Sequence, residues 1–135
     1  MMTFEVTATR LDSAGSLVTA KQTEIVIDTG MAGRPDALNP VELLLAALSA
    51  CMIKGIERVA ETLGVDYDRV HVSLTAHRPE AEARIEDISY VVTVGTDADQ
   101  AKLDLLHKNL MKFGTIYNTV KSGTNLSGVV VAAAR

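Results

Sequence analysis

The chain has 135 residues, 47% of them apolar, and a formal net charge of −4. At this length one core is expected, and with no Trp, two Phe and three Tyr it must be built from Leu, Val, Ile, Ala and Met. The acidic balance and scattered Lys and Arg exclude nucleic-acid binding, and the longest nearly uninterrupted apolar stretch, Leu43 to Ile53, falls far short of the roughly 20 residues that a membrane span needs.

From the N-terminus, Met1 to Glu5 has neither the cationic start nor the apolar run of a secretory signal, so a cytoplasmic location is expected. Thr3 to Arg10 alternates Phe4, Val6 and Ala8 with polar residues, the period of a half-buried strand. Asp12-Ser13-Ala14-Gly15 supplies turn chemistry before Ser16 to Ala20, predicting a hairpin, and Thr23 to Asp28 predicts a third strand. Gly30, Gly33 and Pro35 then mark a loop.

Asn39, Pro40 and Glu42 form a helix start: an N-cap, a first position that needs no N–H, and an acid at N3 able to reach back to the cap. From Val41 to Ile53 only Glu42, Ser49 and Cys51 are not plainly hydrophobic, which predicts a half-helix enclosed by protein. Beyond it Ile56, Val59, Ala60 and Leu63 keep an apolar stripe while Lys54, Glu57, Arg58 and Glu61 face water, until Gly64 offers a stop. Val70 to Arg78 alternates again, Pro79 to Ala83 reads as a turn, and Ile85 to Gly95 is its predicted hairpin partner. Asp97 to Phe113 predicts a second amphipathic helix with a Leu103, Leu106, Leu110, Phe113 stripe and Gly114 as its end. Ile116 to Lys121 suits a further helical turn, and Leu126 to Ala134 a closing strand.

Cys51 is the sole cysteine, so no internal disulfide can form and the thiol is either a small apolar filler or a reagent. Lys54, Gly55 and Arg58 share its helical face, and nearby cations favour the nucleophilic thiolate; both cations also fit a solvated rear face. No metal or cofactor site is evident. His71 and His77 lie on one strand face but six residues apart, roughly 20 Å, and His107 reads as a surface residue. Ser49 lacks a G-x-S-x-G context, and the glycines form no phosphate loop or dinucleotide fingerprint.

The run Asn39-Pro40-Val41-Glu42-Leu43-Leu44-Leu45-Ala46-Ala47-Leu48-Ser49-Ala50-Cys51 resembles the N-P-x-E-L-L-x-A-A-x-x-x-C signature of the OsmC/Ohr superfamily, and the element order agrees over essentially the whole chain. The resemblance implies a single α+β domain over residues 1–135, with antiparallel sheets packed around a long buried central helix, in an intertwined homodimer with its sites at the subunit interface. It implies thiol-dependent reduction of organic hydroperoxides in oxidative stress defence. Cys51 matches the peroxidatic cysteine, and Arg10, with Arg34 as second choice, the arginine that supports the thiolate. Glu42 lies one step after the position of the family's acidic residue, which is Val41 here, and about half a turn out of phase with Cys51, so that capping is its better role. Gly114-Thr115-Ile116-Tyr117-Asn118-Thr119-Val120 stands where the family has C-P-x-S-N-T-L, retaining Asn118 and placing Gly114 at the resolving cysteine. A Cys51 sulfenic acid must then be recycled by an external thiol or dithiol. The alternative is a dimer of the same fold that binds a small hydrophobic molecule, with Cys51 only part of the wall.

Overall fold

A computed structural model describes residues 1–135. In chain order it has β1 (Thr7–Arg10), β2 (Gly15–Ala20), β3 (Thr23–Asp28), α1 (Pro40–Val59), β4 (Val70–His77), β5 (Asp87–Gly95), α2 (Gln100–Phe113), α3 (Thr115–Val120) and β6 (Asn125–Ala133). The chain divides into two compact units, Met1–Leu44 and Leu45–Arg135. No helix is long and apolar enough to cross a membrane.

The first unit holds an antiparallel meander, β1-β2-β3. Asp12 Oδ1 accepts from the backbone N–H groups of Ala14 and Gly15, which folds the predicted turn. The first strand is shorter than its alternation predicts, beginning at Thr7, because only Thr7 to Arg10 find partners on β2. After β3, Asp28 organises the loop. Its Oδ1 accepts from the Gly30 N–H at 3.2 Å and its Oδ2 from the Arg34 N–H at 3.1 Å. Gly33, at φ 74°, takes a left-handed turn there at no steric cost. The unit buries little: all of β1 is exposed, and so are Phe4, Val6, Leu11, Ile25 and Val26.

The start of α1 is the predicted capping box. Asn39 Oδ1 accepts from the Glu42 N–H at 2.8 Å, and Glu42 Oε1 accepts from the Asn39 N–H at 3.0 Å. The two bonds satisfy donors that a helix end would leave unpaired.

The second unit has the core. Leu48, Met52, Ile56 and Ala60 recur every four residues and are at most 1% exposed, so they form one stripe of the α1 segment. They join Ile88, Tyr90, Val92 and Val94 of β5, Leu103, Leu106 and Leu110 of α2, Tyr117 of α3 and Val130 of β6. β5 is the middle strand of β4-β5-β6. Its pairing with β4 is the predicted antiparallel hairpin, but β6 runs parallel to it, which corrects the expectation of antiparallel sheets throughout. The reason lies in the connection: α2 and α3 carry the chain back along the sheet, as a parallel neighbour requires. Gly128 sits opposite Tyr90 in that pairing, and a Cβ there would overlap the Tyr90 carbonyl oxygen and ring.

In the front half of the central helix Leu48 and Met52 are buried, while Val41 is 37% exposed, Leu44 36% and Ile53 42%. The buried stripe covers one side only, and a helix that is apolar all round needs cover on the other as well.

Candidate functional site around Cys51

Cys51 lies on α1 one residue before the buried Met52, a phase that leaves it half-buried at the edge of the core stripe. The neighbour that matters most is Gly114, at the junction of α2 and α3, which is itself buried. A Cβ built on Gly114 would stand 3.2 Å from Cys51 Sγ, 2.7 Å from the Leu110 carbonyl oxygen and 3.0 Å from Tyr117 Cβ. Glycine therefore lets the end of α2 come down against the sulfur. The position expected to hold a resolving thiol is thus brought beside Cys51 and carries no side chain. The Gly114 N–H donates to the Leu110 carbonyl at 3.1 Å, and Asn118 Nδ2 donates to the Lys112 carbonyl at 3.0 Å, so the turn is fixed at both ends.

One turn along α1, Gly55 allows a second close approach, since a Cβ there would overlap Leu110 Cδ2. Arg58 Nη2 lies 3.6 Å from that same point. Arg58, Val59 and Phe113 line an open depression of about 400 Å³. Lys112 Nζ sits 5.2 Å from the centroid of the Phe113 ring.

Of the other site residues read from the sequence, Arg10 ends β1, exposed and opposite Ser16. Arg34 is committed locally: Nε donates to Asp36 Oδ1 at 2.6 Å and Nη2 to Asp36 Oδ2 at 2.8 Å, a bidentate pair. That pairing pushes the guanidinium further above its usual range and holds the Asp36 carboxyl below its own. Glu42 is engaged in the cap described above. No group of three or more His, Cys, Asp or Glu is placed to hold a metal ion.

Sequence reasoning missed the polar group behind Gly114. Tyr90 and Tyr117 meet edge to face, ring centroids 6.2 Å apart, and the Tyr90 hydroxyl lies 2.6 Å from His107 Nε2. His107 is therefore half-buried on the core side of α2 and not the surface residue expected. Its spacing contained the signal: four residues after Leu103 and three before Leu110, it falls on the apolar stripe. Burial pushes the Tyr90 hydroxyl up and the His107 imidazole down from their usual ranges, which favours the neutral form of each.

A pH dependence follows. Unfolded His107 takes up its proton at about pH 6.5, whereas the folded imidazole resists protonation to lower pH. Between the two values the unfolded chain binds more protons. Its contribution to stability is thus fully present above about pH 6.5 and is lost as the pH falls through the folded value. Urea midpoints at about pH 8 and about pH 5 should differ more in the native chain than in His107→Gln. An equal difference in the two would remove His107 as the cause.

The family profile described as OsmC-like protein matches residues 33–127. No curated protein gives a significant match. Among solved structures, the chain is similar to an OsmC-like protein from Mycoplasma pneumoniae at 15% identity, with a TM-score of 0.88 and 98% of each chain covered. It is similar to an organic hydroperoxide resistance protein OsmC from Legionella pneumophila at 17% identity, with a TM-score of 0.74 and 98% of each chain covered. For the organic hydroperoxide resistance protein OhrB of Bacillus subtilis the identity is 22% and the TM-score 0.64, over 96% of this chain and 98% of that one. At these identities the structures establish the fold. The profile spans well over half of the sequence, and with the α+β architecture and the signature ending at Cys51 it leads to one conclusion: the chain belongs to the OsmC-like protein family.

Proposed function

We propose that this chain, acting as one domain, forms a homodimer that reduces small organic hydroperoxides through Cys51 and is recycled by an external thiol or dithiol in the cytoplasm. The observation that carries the reading is a half-buried sulfur at the end of the family signature, packed against a glycine and not against a second sulfur. The names of the Legionella and Bacillus proteins, organic hydroperoxide resistance, support the choice of substrate.

In the first step the Cys51 thiolate attacks an oxygen of the hydroperoxide. An S–O bond forms as the O–O bond breaks, and the alcohol leaves with a proton, giving a sulfenic acid. A thiol then displaces water from that sulfur to form a mixed disulfide, and a second thiol attacks it to release the external disulfide and restore Cys51. Cys51 being the sole cysteine, the second and third steps need thiols from outside the chain. The cation that supports the thiolate is Arg10, which is free of any ion pair; Arg34 would have to give up Asp36 to serve.

Dimerisation is supported by what the single chain leaves uncovered. Phe4, Val6, Val41, Leu44 and Ile53 are large apolar residues open to water, and a three-stranded meander with so little buried is marginal by itself. A second copy would cover them.

Steady-state consumption of cumene hydroperoxide by the reduced protein tests the function. Turnover is expected with dihydrolipoamide or a monothiol present, together with a dimer mass in solution. Absence of turnover with every thiol, with the sulfur unoxidised, would overturn the proposal.

A further inference from the structure

Cys51, Gly55 and Arg58 are spaced by four and three residues, so they share one face of α1. Helical side chains lean toward the N-terminus, and Gly55 presents none to obstruct Arg58. The guanidinium accordingly lies beside Gly55, with Nη2 3.6 Å from the missing Cβ, on the helix face that also carries Cys51. Arg34, Arg69, Arg84 and Arg135 are each paired with a carboxylate, whereas Arg58, like Arg10 and Arg78, is not. Glu57, its neighbour in sequence, is taken by the Tyr67 hydroxyl. Glu61, one turn on, makes no ion pair with it, and Lys54, one turn back, adds a like charge.

The depression beside Arg58 is closed on its other side by Phe113, the residue joined to Gly114. Its lining of Arg58, Val59 and Phe113 offers an unpaired cation and an aromatic edge with no carboxylate, and Phe113 precedes the glycine whose missing Cβ would stand 3.2 Å from Cys51 Sγ. A thiol that recycles Cys51 must stay bonded to that sulfur until a second thiol arrives, and Gly114 leaves its body free to lie along this depression.

We propose that Arg58 is a specificity-determining residue that selects, for the mixed disulfide with Cys51, a low-molecular-weight thiol carrying a carboxylate. The proposal deepens the peroxidase reading by naming the class of reductant, yet its test can be read without any peroxide. Reduced Cys51 attacks a symmetrical external disulfide: one S–S bond forms, one breaks, and a thiolate leaves, giving the same mixed disulfide.

The experiment compares initial rates of this exchange with three disulfides, those of 3-mercaptopropionate (anionic), 2-mercaptoethanol (neutral) and cysteamine (cationic). The native chain, Arg58→Gln and Arg58→Glu are tested at low and high salt. One partly exposed charge pair is worth up to about fivefold, which is the expected preference of the native chain for the anionic over the neutral reagent, diminished by salt. The preference should vanish in Arg58→Gln and turn toward the cationic reagent in Arg58→Glu. Equal ratios in the three proteins, or a parallel slowing with all three reagents, would overturn the assignment. So would a charge preference found only between anionic and neutral hydroperoxides. Selectivity among the disulfides without any peroxide reduction would leave Arg58 in its role and remove the peroxidase reading alone.

Discussion

Cys51→Ser is expected to abolish hydroperoxide consumption, lowering it by about a thousandfold or more, because it removes the proposed nucleophile. Serine keeps the size of the side chain and can still hydrogen-bond at a half-buried position. Its hydroxyl is not ionised near neutral pH, however, and cannot carry an oxygen atom as a sulfenic acid does. Since the substituted atom sits at the edge of the core and not within it, stability should change by no more than about 1 kcal/mol. Rates with saturating thiol, set beside urea midpoints for the same two proteins, separate chemistry from folding. Peroxide consumption that survives in the serine variant would place the activity elsewhere in the chain.

Gly114→Cys should change the chemistry of recycling. In a disulfide each Cβ lies about 3 Å from the partner sulfur, a distance set by the S–S bond and the angle at sulfur, and a Cβ on Gly114 stands 3.2 Å from Cys51 Sγ. A second thiol at this position is within bonding reach of the first. Oxidation by one equivalent of hydroperoxide should then end in an internal disulfide, two hydrogens lighter than the reduced chain, where the native chain ends one oxygen heavier. The same Cβ would press on the Leu110 carbonyl oxygen at 2.7 Å, so the junction of α2 and α3 must shift slightly, at a cost of about 1–3 kcal/mol. Gly114→Ala carries that steric cost without the sulfur and serves as the reference. Persistence of the oxygen adduct in a folded Gly114→Cys protein would show that the two positions do not meet during turnover.

Much of this was legible in the amino-acid order. The capping box at Asn39 and Glu42 uses only interactions within one helical turn, so its sequence pattern and its geometry coincide. The Cys51 helix, the β4-β5 hairpin and the Leu103, Leu106, Leu110 stripe of α2 are likewise local periodicities that tertiary packing had no reason to overrule, although Phe113, the last residue of the expected stripe, is 51% exposed. The remainder depended on partners distant in sequence. The direction of β6 follows from where α2 and α3 deliver the chain, which no period of two can encode. His107 looked solvated because its partner Tyr90 lies seventeen residues away on a strand. The approach of Gly114 to Cys51 came from family resemblance and not from spacing, since it joins two helices separated by a whole hairpin. The front of α1 shows the opposite limit: its composition calls for burial, while Val41, Leu44 and Ile53 are exposed in the single chain.

The most direct measurement is the intact mass of the reduced protein after one equivalent of cumene hydroperoxide, followed by addition of a monothiol. The account predicts one added oxygen, confined to Cys51 and absent in Cys51→Ser, and its replacement by a single mixed-disulfide adduct when the thiol is added. A sulfur that remains unmodified while the peroxide persists would contradict it.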